Sequence, residues 1–236
     1  MTAWRWDPLG LTTEFAPHHP RCAYPGSMRS DADETLEVLD ETGTPTGVRK
    51  ARGAVHMDGD WHRAFHLWVM HPDGHVLLQR RSRAKDLAGG KVDVSVAGHV
   101  RPGETVLDML REAEEEIGLT VAPGRADFLV TLRSERRYPD GALDREFQDV
   151  YVTLVEGREL TQYVLGCDEV TVLYEAPLER LVAFYRDGGS LPVAGWDCQQ
   201  RRNDALLIEE DVIDEGRALT VESLELLGAW WEARTT

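Results

Sequence analysis

Between Glu104 and Gly118 the chain carries six acids, Glu104, Asp108, Glu112, Glu114, Glu115 and Glu116, against one base, Arg111. On a helix turning about 100° per residue, Glu112, Glu115 and Glu116 share one face while Glu114 points away. Like charges at this spacing destabilise a bare helix by roughly 0.2–0.5 kcal/mol per pair. A merely solvated face would intersperse lysines, and this one has none, so a hard divalent cation is the expected neutraliser. Carboxylate oxygens suit Mg²⁺, which keeps several waters and takes its remaining ligands from substrate phosphates. Mn²⁺ is the other candidate. A second chemical signal is the dense basic cluster Arg80, Arg81, Arg83 and Lys85 at a strand end, where a loop can clamp phosphate oxygens. Strand alternation sends Arg80 and Arg81 to opposite faces, so only part of the cluster can serve one ligand. Surface pairing with the acidic excess is the competing account for any single member.

These residues need a scaffold, and the apolar pattern supplies one. Strand-like runs cover LEVLD from Leu36, AFHLWVM over 64–70, VLLQR over 76–80, VDVSVA over 92–97, and stretches near 128–133 and 146–155. The turns DETG and HPDG punctuate them. A helix is expected over roughly 106–117, stopped by Gly118, and another after Pro177, a residue favoured at a helix start. Few helices among mixed strands indicate an α+β sheet sandwiched between helices. Residues 1–34, with Pro8, Pro17, Pro20 and Pro25, read as an irregular arm. In it Trp4 and Trp6 are read as anchoring aromatics and His18-His19 as a solvated pair. Residues 35–186 form the main domain. Residues 187–236 form a helical extension whose stripe of Leu224, Leu227 and Trp231 packs on that domain or on a second subunit as a homodimer.

The segment from Gly98 to Leu119 resembles the Nudix box, Gx5Ex7REUxEExGU with U a bulky aliphatic residue. Gly98 and Glu104 match its first half. Arg111-Glu112-Ala113-Glu114-Glu115-Glu116-Ile117-Gly118-Leu119 matches the second, with alanine at the first U. Six residues rather than seven separate Glu104 from Arg111, which would rotate Glu104 by about 100° relative to the metal face unless the loop absorbs the shift. An accidental acidic helix would not carry a nine-residue match joined to a correctly spaced Gly-Glu turn. The resemblance implies the Nudix fold and a hydrolase that cleaves a diphosphate bond in a nucleoside-diphosphate-type or related small metabolite. Glu112, Glu115 and Glu116 would hold metal, with Glu116 or Glu146 as the base; Arg81 and Lys85 would bind the substrate.

Outside the box the chain resembles the branch containing isopentenyl-diphosphate isomerase, through His62-Arg63-Ala64-Phe65, Arg80-Arg81 with Lys85, Gly98-His99 and Asp144-Arg145-Glu146. That resemblance implies a second metal site of His62, His99, Asp144 and Glu146, with His56 one residue short of a further ligand position. Such a donor set suits Mn²⁺ or Zn²⁺ better than Mg²⁺. Hydrogen-bonded packing is the competing account of these histidines, and the expected one for His66 and His71. The isomerase needs a cysteine directly before the Gly-His pair. Ala97 stands there, and a methyl group cannot move a proton. A Nudix domain that senses a ligand without cleaving it is a third reading, ranked lower because the box glutamates are all present.

Composition narrows the partners. With 26 basic and 42 acidic side chains the formal charge is −16, which repels a phosphate backbone at long range and argues against nucleic acid. Cys22, Cys167 and Cys198 form no CxxC pair, arguing against a zinc knot or a disulfide framework. No stretch approaches the ~20 apolar residues needed to cross a bilayer, and the first residues lack a signal-peptide pattern, so a cytoplasmic location is expected.

Overall fold

The computed structural model describes residues 34–139, 141–213 and 217–235. Trp4, Trp6, the His18-His19 pair and Cys22 lie outside the described residues. The central strand is β3 (Trp61–Met70). Its alternation directs Trp68 and Met70 to one apolar cluster and Phe65, Leu67 and Val69 to another. Both faces are covered, which is why the sequence there is a nearly unbroken apolar run.

Parallel to β3 runs β8 (Leu143–Leu154), in register from Trp61↔Arg145 to Met70↔Leu154, and β7 (Ala126–Arg137) pairs antiparallel with β8. β4 (His75–Arg81) meets β3 at Met70↔Val76 and then diverges. In the opening, β5 (Val92–Asp93) stays with β4 while β6 (Val96–His99) stays with β3. The expected single strand over 92–97 is therefore two short ones with different partners. Ser95 sits at the split, its Oγ donating to the Leu77 carbonyl at 2.6 Å and accepting from the Val69 amide at 2.9 Å. A side chain thus replaces the ladder bonds that the split removes.

Beyond β4 the sheet continues through β9 (Val170–Pro177), β10 (Ser190–Asp197) and β11 (Ala205–Ile208). These last two strands correct the reading of 187–236 as a helical extension. Pro192 and Gly195 within β10 disguise it, yet Ser190 to Val193 pair with β11 and Ala194 to Asp197 with β9. On the other side lie β1 (Thr35–Leu39), β2 (Pro45–Ala51) and α1 (Arg52–Asp58). The DETG turn closes β1 onto β2, with Asp40 Oδ1 accepting from the Thr42 and Thr44 amides at 2.8 and 3.0 Å.

Helix α2 (Arg111–Ile117) covers the Phe65 face, burying Ala113 and Ile117. The opposite face is covered by α3 (Leu178–Asp187) and α4 (Arg217–Thr235). Leu224 and Leu227 are fully buried there and Trp231 packs against the same cluster, so the C-terminal stripe faces this chain's own domain. No helix among the described residues is long and apolar enough to cross a membrane.

Candidate active site

The expected helix over 106–117 is two pieces, a 3-10 turn at Val106–Leu110 followed by α2. Thr105 opens it with a capping box: its Oγ1 accepts from the Asp108 amide, and Asp108 Oδ2 accepts from the Thr105 amide at 2.7 Å. The tighter turn resolves the missing residue. At three residues per turn, five residues advance about 100° further than they would in an α-helix, the rotation that one deleted residue removes. Glu104 consequently meets Arg111, with Oε1 3.1 Å from Nη1, while its Oε2 accepts from the Arg101 amide. Arg111 also donates to Glu112 Oε1 at 2.7 Å.

Gly98 lets this helix approach: a Cβ there would stand 3.0 Å from Met109 Cε and 3.1 Å from Glu112 Cγ. Gly118 ends α2 in the left-handed region at φ 65°. Of the three glutamates, Glu116 is buried and Glu112 half-buried, whereas the Glu115 side chain is 49% exposed and lies 4.0 Å from Arg111 Nε. The single face therefore grades from interior to solvent. Burial pushes Glu112 up to about 7, opposed by Arg111 and reinforced by Glu115. Burial, then the neighbouring Glu112 and Glu169, raise Glu116 well above the usual carboxylate range; Lys85 and Arg81 oppose this. Its hydrogen bond from Gln79 Nε2, at 3.1 Å, is with a neutral donor.

Two members of the basic cluster, Arg81 and Lys85, thus act on Glu116. Arg81 Nη1 lies 3.3 Å from Asp93 Oδ2, and its buried Nε has no hydrogen-bond partner. Lys85 pairs with Glu169. Arg80, by contrast, is on the α3/α4 side, bound to Asp211, Tyr174 and the Gly90 carbonyl.

Around the start of β3 a second cluster forms on the face opposite α2. The rings of His56, His62 and His99 lie 4.9–5.5 Å apart between centroids. Register places Glu146 beside His62, and Asp144 follows on the same face of β8. His62 Nε2 is 3.5 Å from Asp144 Oδ1 and 3.8 Å from Glu146 Oε1; His56 Nε2 is 3.7 Å from Asp144 Oδ1. These contacts exceed hydrogen-bond length, and His56 Nε2, His62 Nε2 and Asp144 Oδ1 are all buried without a partner. His62 Nδ1 faces the Asp60 carbonyl at 3.2 Å. A carbonyl can only accept, so Nδ1 carries the proton and Nε2 presents a lone pair to the cluster. Donor atoms of His56, His62 and His99, and of His62, Asp144 and Glu146, lie within 4.8 Å of one another. The orphaned lone pairs and buried acids fit a transition-metal ion.

Three further residues tune this cluster. Arg136 approaches Asp144 and Glu146 at 3.8 and 3.4 Å. Glu34 Oε2 accepts from His99 Nδ1 at 3.2 Å, and Arg52 lies beside Glu34. Burial opposes a charged His99, but its hydrogen bonds to Glu146 and Glu34 push it up to about 9. Burial would raise Glu146, yet Arg136 and His99 hold it well below the carboxylate range; burial and that neighbouring charge raise Asp144. Burial and the charge of His99 lower His56 to about 3 and His62 to about 4. Glu34, Arg52 and Arg136 had no signal in sequence, because a lone charged residue acquires a role only through what the fold sets beside it.

A family model described as NUDIX domain matches residues 60–184. Nudix hydrolase 3 of Arabidopsis thaliana is 39% identical over 152 residues, 63% of this chain and 20% of that protein, so the chain spans about a fifth of that relative's length. An uncharacterized Nudix hydrolase of Clostridium acetobutylicum is 34% identical over 155 residues, covering 64% of this chain and 74% of that one. An isopentenyl-diphosphate Delta-isomerase of Streptomyces avermitilis is 33% identical over 123 residues, 51% of this chain and 61% of the isomerase. The crystal structure of DR0079 from Deinococcus radiodurans shares the fold, with a TM-score of 0.50 and 22% identity over 64% of this chain and 87% of that one.

Proposed function

The chain belongs to the Nudix family, and on that premise we propose that it is a divalent-metal-dependent hydrolase of a diphosphate bond in a small, nucleoside-diphosphate-type or related metabolite. One observation carries the reading: Glu116 is a carboxyl buried against Glu112, with a neutral glutamine as its hydrogen-bond donor. Ionising such a buried pair is costly, and a bound cation offsets that cost. Glu112, Glu115 and Glu116 would hold Mg²⁺ or Mn²⁺, which when bound neutralises the diphosphate and lowers the pKa of water. Arg81, with its unpartnered Nε, and Lys85 would bind phosphate oxygens. Water adds to one phosphorus, the bond from that phosphorus to the bridging oxygen breaks, and the other phosphate departs with that oxygen. The water's proton passes to Glu116, which Gln79 orients, or to Glu146.

The histidine cluster supports a second metal, held by His56, His62, His99, Asp144 and Glu146, with Mn²⁺ or Zn²⁺ favoured by the mixed nitrogen and oxygen donors. It does not restore the isomerase reading, because Ala97 offers no proton. Formation of the allylic isomer from isopentenyl diphosphate should be undetectable by product analysis. The principal test is a hydrolysis screen over nucleoside diphosphates, nucleotide sugars, dinucleotides and cofactor diphosphates, with Mg²⁺ and with Mn²⁺, read as inorganic phosphate, with a phosphatase added to release it from monoester products. Glu116→Gln should lower turnover on the best substrate by orders of magnitude with an unchanged circular dichroism spectrum. Near-wild-type turnover in that variant would remove Glu116 from the site.

A further inference from the structure

Between the sheet and α4 lies a small cavity lined by His66, Asp93, Ser134, Arg136, Gln148 and Ser223, with room of about 20 Å³. It adjoins both halves of the site. Arg136 reaches Glu146 of the histidine cluster, Asp93 holds Arg81, and His66 lies directly across the ladder from Ala97. Two of its polar atoms are buried without a hydrogen-bond partner, Ser134 Oγ, on a residue 1% exposed, and Arg136 Nε. Ser134 is not a packing accident of an exposed strand: it stands opposite Glu146 in register, on the same face.

We propose that this cavity is the subsite for a hydroxyl group on the organic half of the substrate, and that Ser134 and Arg136 are the residues that recognise it. The inference rests on the diphosphate-hydrolase reading and names the substrate class for it. The space is that of one water or one hydroxyl. Arg136 Nε can only donate, Asp93 can only accept when ionised, and Ser134 can do either, so the fitting group both accepts and donates. A methyl or prenyl terminus would leave the two buried atoms dry. An anionic terminus would meet Asp93. A substrate hydroxyl supplies the hydrogen bonds that these two buried atoms lack. Residues 217–235 form the far wall, through Ser223, whose Oγ accepts from Trp68 Nε1 at 3.3 Å.

The test uses full-length protein and ω-hydroxyalkyl diphosphates of two to six carbons, each beside the alkyl diphosphate of the same length. Both kcat/KM with saturating Mg²⁺ and affinity by calorimetry are measured. The best hydroxyalkyl compound should exceed its alkyl partner by about tenfold or more, since a site built to bond a hydroxyl rejects its absence. Ser134→Ala should collapse that ratio to within about threefold, and Ser134→Cys, whose larger thiol is only a weak hydrogen-bond donor, should do the same. An alkyl preference, or a ratio unmoved by either variant, would overturn the proposal and leave the cavity holding only water. Calorimetry separates the two readings. Selective binding of the hydroxyalkyl series without turnover would sink the hydrolase assignment alone, whereas turnover without selectivity would sink the hydroxyl subsite alone.

Discussion

Glu112 and Glu116 are carboxyls that the fold prefers protonated until a cation arrives, and this fixes the sign of two pH effects. A carboxyl whose folded pKa is raised, here Glu112 to about 7 from an unfolded value near 4.3, contributes stability below its unfolded pKa that is lost as pH rises through the folded one. With metal chelated, the Tm advantage of the parent over Glu112→Gln should fall between about pH 4.5 and 7.5, since His56 and His62, whose pKa values are lowered, act in the opposite sense in both proteins. Mg²⁺ needs the deprotonated carboxylates, so the Tm gain it gives should be larger at pH 8 than at pH 5.5. Scanning calorimetry with chelator and with Mg²⁺ reads both; a gain independent of pH would detach metal from these glutamates. Arg81 makes a different prediction. A charge-assisted bond to phosphate contributes about 1.5–3 kcal/mol, so Arg81→Ala should raise KM roughly ten- to a hundredfold with smaller change in kcat. Arg83→Ala is the comparison, expected near unity. Equal constants for the two variants would leave phosphate binding to the metal and Lys85.

At the scale of elements, the 3-10 turn before α2 is what keeps Glu104 on Arg111 despite the shortened spacing, and its capping box holds the turn. Loss of an N-cap hydroxyl costs about 1 kcal/mol. Thr105→Ala should therefore lower stability by about that much in urea titration, and activity further, because Arg111 and Glu112 move with the turn. A variant that loses stability without losing activity would show that the turn does not set the glutamates. α4 is tested by Leu227→Ala. The side chain is fully buried, and removing such a leucine typically costs 2–5 kcal/mol. A cost under 1 kcal/mol would mean that α4 does not seal the sheet.

The whole molecule extends the Nudix domain at both ends. Glu34 and His56 precede residue 60, where the family match begins, and both reach His99 or Asp144. Past residue 184, where the match ends, β10 pairs with β9, and α4 buries Trp68 and α3. Residues 60–184 alone would expose the edge of β9 and the Trp68–Met70 face. That fragment should lack a cooperative unfolding transition, whereas residues 34–236 should keep one. Cooperative melting of the shorter piece would make the flanks accessory.

The sequence by itself determined the box, the grouping of Glu112 with Glu116, the strand–turn pattern of β1, β3 and β4, and the absence of the isomerase's cysteine at Ala97. These are local facts: residue type, spacing and periodicity along one stretch of chain settle them. Tertiary structure decided that Glu115 is exposed while Glu116 is buried, and that the missing residue is absorbed by a change of helix type. It also decided that β10 is a strand despite Pro192 and Gly195, because the ladders on either side satisfy its backbone. Glu34, Arg52, Arg136 and Ser134 became site neighbours for the same reason. Each is unremarkable in its own segment: the β7–β8 ladder sets Arg136 and Ser134 beside Glu146, and the tertiary fold brings Glu34, with Arg52 beside it, to His99, where burial makes an unpaired polar atom costly enough to require a partner.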